Sequence, residues 1–240
     1  MFSVLHIARA SLVALALAAT QTHASLVTLV GATFDVRYDD TLLIASLFGT
    51  PTLTGNTLSF TPVSFSAQSI NGNQYATKDS TINLQLFPHA GQQITAVTLT
   101  ERGDYLLRGS QSFVEVTGQI RLFDLDHPLN EDTNTITAIT AMTVTDGVVH
   151  NWQAGAQIQV LGNVALPGAT RFNLTLENLL GAYTSNTDTS GPLRAFIQKK
   201  NAIDGVSMVV STVPEPEGWG LALVGLLMVP FVARRHRDAL

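Results

Sequence analysis

The feature that most constrains this chain is a hydrophobic period of two that recurs along its central region. Thr81–Leu86 places Ile82, Leu84 and Leu86 in one phase and Thr81, Asn83 and Gln85 in the other. Thr170–Glu177 repeats the pattern, with Phe172, Leu174 and Leu176 alternating with Arg171, Asn173, Thr175 and Glu177. In Val114–Leu122, the residues Val114, Val116, Ile120 and Leu122 alternate with Glu115, Thr117, Gln119 and Arg121. A helix scatters such a pattern around its axis, whereas a strand sends successive side chains to opposite faces. One apolar and one polar phase describes antiparallel strands packed on one side. Turn residues break the runs at Gly55-Asn56, Asn71-Gly72-Asn73, Arg102-Gly103-Asp104, Asp146-Gly147 and Pro167-Gly168. Asp146-Gly147, between two β-rich stretches, carries the strongest hairpin signal. With no amphipathic helix and no fixed repeat, the expectation is an all-β domain, an antiparallel β-sandwich or jelly roll of about 10–12 strands.

The two ends of the chain do not share this pattern. Residues 1–24 read as a secretory signal peptide: His6 and Arg9 form a weakly basic start, and Ala10–Ala19 is an uncharged apolar run. Thr22-His23-Ala24 sets small residues for a cut between Ala24 and Ser25. The apolar run is too short to span a bilayer, which favours cleavage over a retained anchor. The β-rich domain is then 25–212, and residues 213–240 form a third segment. That segment reads Val213-Pro214-Glu215-Pro216, an apolar stretch from Gly218 to Ala233, and the basic residues Arg234, Arg235 and Arg237. The prolines favour an extended, accessible backbone. At ~1.5 Å per residue the apolar stretch gives a helix of about 24 Å, marginal against a ~30 Å hydrocarbon core. Arginines at its far end favour the cytoplasmic side, which puts the β-rich domain outside.

This tripartite tail resembles the PEP-CTERM sorting signal of Gram-negative bacteria, over Val213 to Arg237. The resemblance implies export through the Sec translocon, cleavage by signal peptidase and a transient hold in the inner membrane. It also implies processing by exosortase, a membrane-embedded cysteine peptidase, followed by residence at the cell surface or outside the cell. Family members typically occur in bacteria that make exopolysaccharide, so a biofilm or envelope role is implied, with exopolysaccharide as a partner. The stretches Ser59–Ala67 and Glu101-Arg102-Gly103-Asp104-Tyr105 also resemble parts of some PEP-CTERM ectodomains.

Composition narrows the remaining chemistry. The chain has no cysteine, which excludes a disulfide scaffold, thiol catalysis and Cys-ligated zinc. Thirteen Lys and Arg against 18 Asp and Glu give a net charge of −5, the wrong sign for a nucleic-acid partner. Lysine is scarce, with Lys78, Lys199 and Lys200 in the central domain. No Gly-x-Ser-x-Gly elbow accompanies His89, His127 or His150, which read as surface or turn residues. The acidic stretch Asp124, Asp126, Glu131 and Asp132 is a weak calcium candidate, because its spacing matches no EF-hand and lacks the sixth-position glycine. No cofactor is expected. A glycosidase would need two facing carboxylates, for which Glu101, Asp104, Glu115 and Asp124 are available. Tyr38, Tyr75, Trp152 and Tyr183 would stack on sugar rings if one sheet face exposed them, although large aromatics more often pack inside. The leading expectation is a non-enzymatic structural or polysaccharide-binding surface protein, and the alternative is a secreted carbohydrate-active enzyme on the same fold.

Overall fold

The computed structural model describes residues 25–44, 46–189 and 191–215. The signal peptide through Ala24, and Pro216, Gly218, Ala233, Arg234, Arg235 and Arg237 of the tail, lie outside these residues. Among the described residues, no helix is long and apolar enough to cross a membrane.

The alternating runs become strands of two antiparallel sheets. The first sheet has the order β1 (Leu26–Val30), β2 (Phe34–Asp39), β6 (Gln74–Pro88), β12 (Phe172–Thr184), β8 (Phe113–Asp124) and β9 (Glu131–Thr135). The second runs β10 (Thr137–Ala138), β11 (His150–Gln159), β7 (Gln92–Arg108), β14 (Val206–Pro214), β4 (Thr57–Phe60) and β3 (Thr52–Thr54). To this sheet β13 (Arg194–Lys199) adds on β7, and β5 (Ser66–Ile70) adds on β13. A one-turn helix, α1 (Asp40–Ile44), follows β2. The all-β expectation therefore holds. Fourteen strands are described rather than about 10–12, because pieces as short as β3 and β10 also find ladder partners.

The apolar phases meet in one core. Phe34, Leu84, Leu86, Ile120, Leu122, Phe172 and Leu174 from the first sheet pack with Leu58, Val97, Leu99, Tyr105, Ile197 and Met208 from the second. A fully buried Leu, Ile or Phe contributes roughly 1.5–3 kcal/mol by leaving water, so burial holds the sandwich without disulfides.

Two turn signals have other roles. Arg102-Gly103-Asp104 lies inside β7, not between strands. Gly103 is there for space: a Cβ would collide with the Trp152 ring and the Gln198 carbonyl oxygen. Asp146-Gly147 makes no hairpin, because β10 pairs with Ala154 and Gly155 and leaves 139–149 as a wide connection. Asp146 bridges to Arg108 and Gly147 N donates to Leu107 O, which docks the loop on the end of β7. Gly55-Asn56 does close the β3–β4 hairpin, with Gly55 at φ 60°. The final strand also passes the expected boundary at Thr212, since Val213 pairs with Gln93 and Pro214 with Gln92. Glu215 N then donates to Gly91 O, so the first residues of the Pro-Glu-Pro motif are held against the domain.

Candidate functional site

The outer face of the first sheet is built from the polar phase of its strands. Along β6 that phase is Tyr75, Thr77, Asp79, Thr81, Asn83 and Gln85. Register sets Tyr75 opposite Tyr183 of β12, and Tyr183 opposite Phe113 of β8. Three aromatic side chains thus form one row across three adjacent strands. Phe113 and Tyr183 stack at 4.9 Å between ring centroids, and Tyr75 and Phe113 are 6.2 Å apart. Tyr75 is 45% exposed and Phe113 43%, while Tyr183 is half-buried.

Gly181 explains why Tyr75 reaches so far across β12. It lies beneath the Tyr75 hydroxyl, and any Cβ at this position would overlap that group and the Glu115 side chain. The hydroxyl can therefore donate to Glu115 Oε1 across the bare backbone. Beyond the row the face is polar, with the charged residues Asp79, Arg121 and Glu177 among neutral ones: Thr175 Oγ1 donates to Asn83 Oδ1 at 2.7 Å, and Gln119 Nε2 to Glu177 Oε2 at 3.0 Å. Of the four aromatics singled out from the sequence, Tyr75 and Tyr183 come together here. Tyr38 and Trp152 are buried in the core, and Phe113 joins the row in their place.

The other candidate residues are dispersed. Glu101 lies between the sheets, Asp104 on the outer phase of β7, Glu115 on the outer face of the first sheet, and Asp124 at the end of β8. The acidic stretch is divided among separate protein partners. Asp124 accepts from Asp126 N and pairs with His127, Asp126 binds Arg171, Glu131 binds Arg121, and Asp132 accepts from Asn163. Burial pushes the Asp124 carboxyl up, but the Asp126 N–H and the His127 ring pull it further down, leaving it below the ordinary range. Among the described residues no group of three or more His, Cys, Asp or Glu is placed to hold a metal ion. Each of His89, His127 and His150 pairs with an aspartate: Asp35 at 2.8 Å, Asp124 at 2.9 Å and Asp146 at 3.0 Å.

A second cluster was not anticipated. In the apolar phase of their strands, β7 carries Glu101, β12 carries Asn178 and β13 carries Lys199. The Lys199 and Glu101 side chains are fully buried, and Nζ lies 2.6 Å from Glu101 Oε2. Asn178 Nδ2 is 2.7 Å from each Glu101 oxygen. The Phe65 and Trp152 rings flank the Lys199 ammonium at 5.2 and 5.5 Å. Burial pushes the Lys199 pKa below its ordinary value, against the opposing pull of the Glu101 carboxylate. The alternation held the signal: extended one residue past Glu177, the apolar phase Phe172, Leu174, Leu176 continues to Asn178.

Fold and faces together define an antiparallel two-sheet β domain with an aromatic row on one outer surface. No protein-family profile matches the chain, and no curated protein matches it. Among solved structures it is similar to TmCBM61 in complex with β-1,4-galactotriose, at 10% identity and a TM-score of 0.19, over 62% of this chain and 90% of that one. It is also similar to the Eiger TNF from S. frugiperda, at 7% identity and a TM-score of 0.23, over 64% of this chain and 94% of that one. The VP2 subviral particle of infectious bursal disease virus matches at 13% identity and a TM-score of 0.19, over 74% of this chain and 48% of that one. Similarities of this size bear on no function.

Proposed function

We propose that the domain is a non-catalytic carbohydrate-binding module that takes polysaccharide on the outer face of its first sheet. The row Tyr75, Tyr183 and Phe113 carries this reading. Aromatic rings are costly to leave in water and offer flat apolar faces, and the C–H face of a pyranose ring is an apolar surface of matching size. The row is rigid, because Phe113 stacks on Tyr183 and Glu115 holds the Tyr75 hydroxyl. Along the same face, Thr77 and Thr117 near the row and Asn83 and Gln119 farther along the strands offer neutral donors and acceptors suited to sugar hydroxyls, beside the carboxylates Asp79 and Glu115. The dispersal of Glu101, Asp104, Glu115 and Asp124 supports binding without hydrolysis, for which two facing carboxylates are needed.

The test is retention of the protein in gels containing neutral or acidic polysaccharides, repeated with Phe113→Ala and Tyr75→Ala. Retention by at least one polysaccharide, weakened in both variants, is expected. Migration unchanged across the panel, or retention indifferent to both substitutions, removes the reading.

The ends supply the proposed setting. In this reading the protein is exported, held briefly in the inner membrane by the apolar stretch from Gly218 to Ala233, and released to the surface or matrix by exosortase at Val213-Pro214-Glu215-Pro216. Support comes from the tail sequence and from the exposure of Val213, Pro214 and Glu215 at the end of β14. Replacing Pro214-Glu215-Pro216 by alanines is expected to leave the protein uncut in the membrane fraction, and unchanged processing would remove exosortase from the account.

A further inference from the structure

The cluster between the sheets is unusual in what it leaves unsatisfied. A buried ion pair kept for structure needs its remaining protons and lone pairs bonded, since taking charges out of water costs several kcal/mol per ion. Here Asn178 Oδ1 is buried without a hydrogen-bond partner, and Lys199 Nζ, with three protons to place, has its one ion-pair contact with Glu101 Oε2. What the site does provide is convergence. Glu101 Oε2 touches the amine nitrogen at 2.6 Å and the amide nitrogen at 2.7 Å, so one carboxylate oxygen links a nucleophile to a leaving group. The rings of Phe65 and Trp152 close the site around the amine. Gly103 is required for Trp152 to sit there, and Gly118, paired with Asn178, lets β8 approach the Glu177–Asn178 backbone closely.

We propose that Lys199 and Asn178 condense into an intramolecular isopeptide bond that joins the two sheets, with Glu101 as the proton shuttle. The Lys199 ammonium first passes a proton to Glu101 Oε2, leaving a neutral amine, the form that burial already favours. The Nζ lone pair attacks Asn178 Cγ, and the carbonyl pair moves onto Oδ1. As the carbonyl re-forms, the Cγ–Nδ2 bond breaks. Nδ2 takes the proton held by Glu101, whose two oxygens both lie 2.7 Å away. The second proton shed by Nζ follows the same route. The products are one new amide, one ammonium ion and an unchanged Glu101 carboxylate, so no oxidant, reductant or further reactant is needed. Holding the reacting groups in one dry site supplies the advantage of proximity that free side chains lack. The bond ties β12 of the first sheet to β13 of the second. In a chain without cysteine it restricts the unfolded state as a disulfide would.

Tryptic mapping of the denatured full-length protein, purified in its folded form, tests this. With free side chains, residues 172–194 and 195–199 are released as two peptides. With the bond, trypsin cannot cut after Lys199, and 172–194 is recovered joined to 195–200, lighter than the two parts by one ammonia. The joined peptide is expected in the wild type and absent from Lys199→Met. Glu101→Gln is expected to slow its appearance about a hundredfold or more, the usual contribution of a positioned acid-base group. Separate peptides with a free Lys199 from folded wild type overturn the proposal, as does joining at the wild-type rate in Glu101→Gln. The wild-type map decides even where a variant fails to fold.

Discussion

Strand β12 presents two different chemistries on its two faces. Inward, Asn178 stands where the alternation calls for an apolar side chain, locked by a buried carboxylate and flanked by glycine on the next strand. Outward, Tyr183 stands where it calls for a polar one, stacked on Phe113 in the open. Both break the binary pattern, with opposite consequences. The inner violation is costly to leave unpaired and gains its significance from being sealed. The outer one is tolerated by the fold and gains its significance from access. Residues that contradict their face are the ones that point to chemistry in this molecule.

The largest way to break the contrast lies inside. Lys199→Met strands the Glu101 carboxylate in the core and also removes the proposed bond, so it is expected to destabilise the protein by at least about 3–5 kcal/mol, read as a fall in thermal midpoint. Replacing Glu101, Asn178 and Lys199 together by apolar residues of similar volume is expected to recover the part due to the stranded carboxylate and not the part due to the bond. Next comes Gly103→Ala, whose Cβ meets Trp152 and the Gln198 carbonyl; overpacking of this kind costs about 1–3 kcal/mol in denaturant titration. On the outer face the order inverts. Phe113→Ala is expected to leave the thermal midpoint within a few degrees, yet to weaken polysaccharide binding by roughly tenfold, as loss of one stacked aromatic does.

The smallest effect is a pH dependence at the end of β8. The folded-state pKa of Asp124 is depressed, so the folded protein binds fewer protons there than the unfolded chain. Its stabilisation is present above the ordinary carboxylate value of about 4 and is lost as pH falls through the lower folded value. Asp124→Asn is therefore expected to flatten the acid limb of a stability–pH curve and leave the curve's shape near neutrality unchanged.

Much of the sheet structure was legible because a period of two is local. The runs at Thr81–Leu86 and Val114–Leu122 lie within strands of the first sheet, and the run at Thr170–Glu177 does from Phe172 onward. Turn residues were less reliable, since glycine answers two different demands. At Gly55 it supplies a positive φ for a hairpin, whereas at Gly103 it makes room for Trp152 inside a long strand. The aromatics divided for a similar reason. Nothing local separates Tyr75 from Tyr38, and the partner strands decide that one is exposed and the other buried.

By itself, the sequence determined that this chain forms antiparallel sheets with one apolar face, stabilised by burial without disulfides, because side-chain phase and cysteine content need no knowledge of partners. The tertiary structure decided which strands became neighbours. Strand register across β6, β12 and β8 gathered Tyr75, Tyr183 and Phe113 into one row. Packing of the two sheets brought Glu101, Asn178 and Lys199 together, because residues far apart in sequence meet only when long-range pairing is complete.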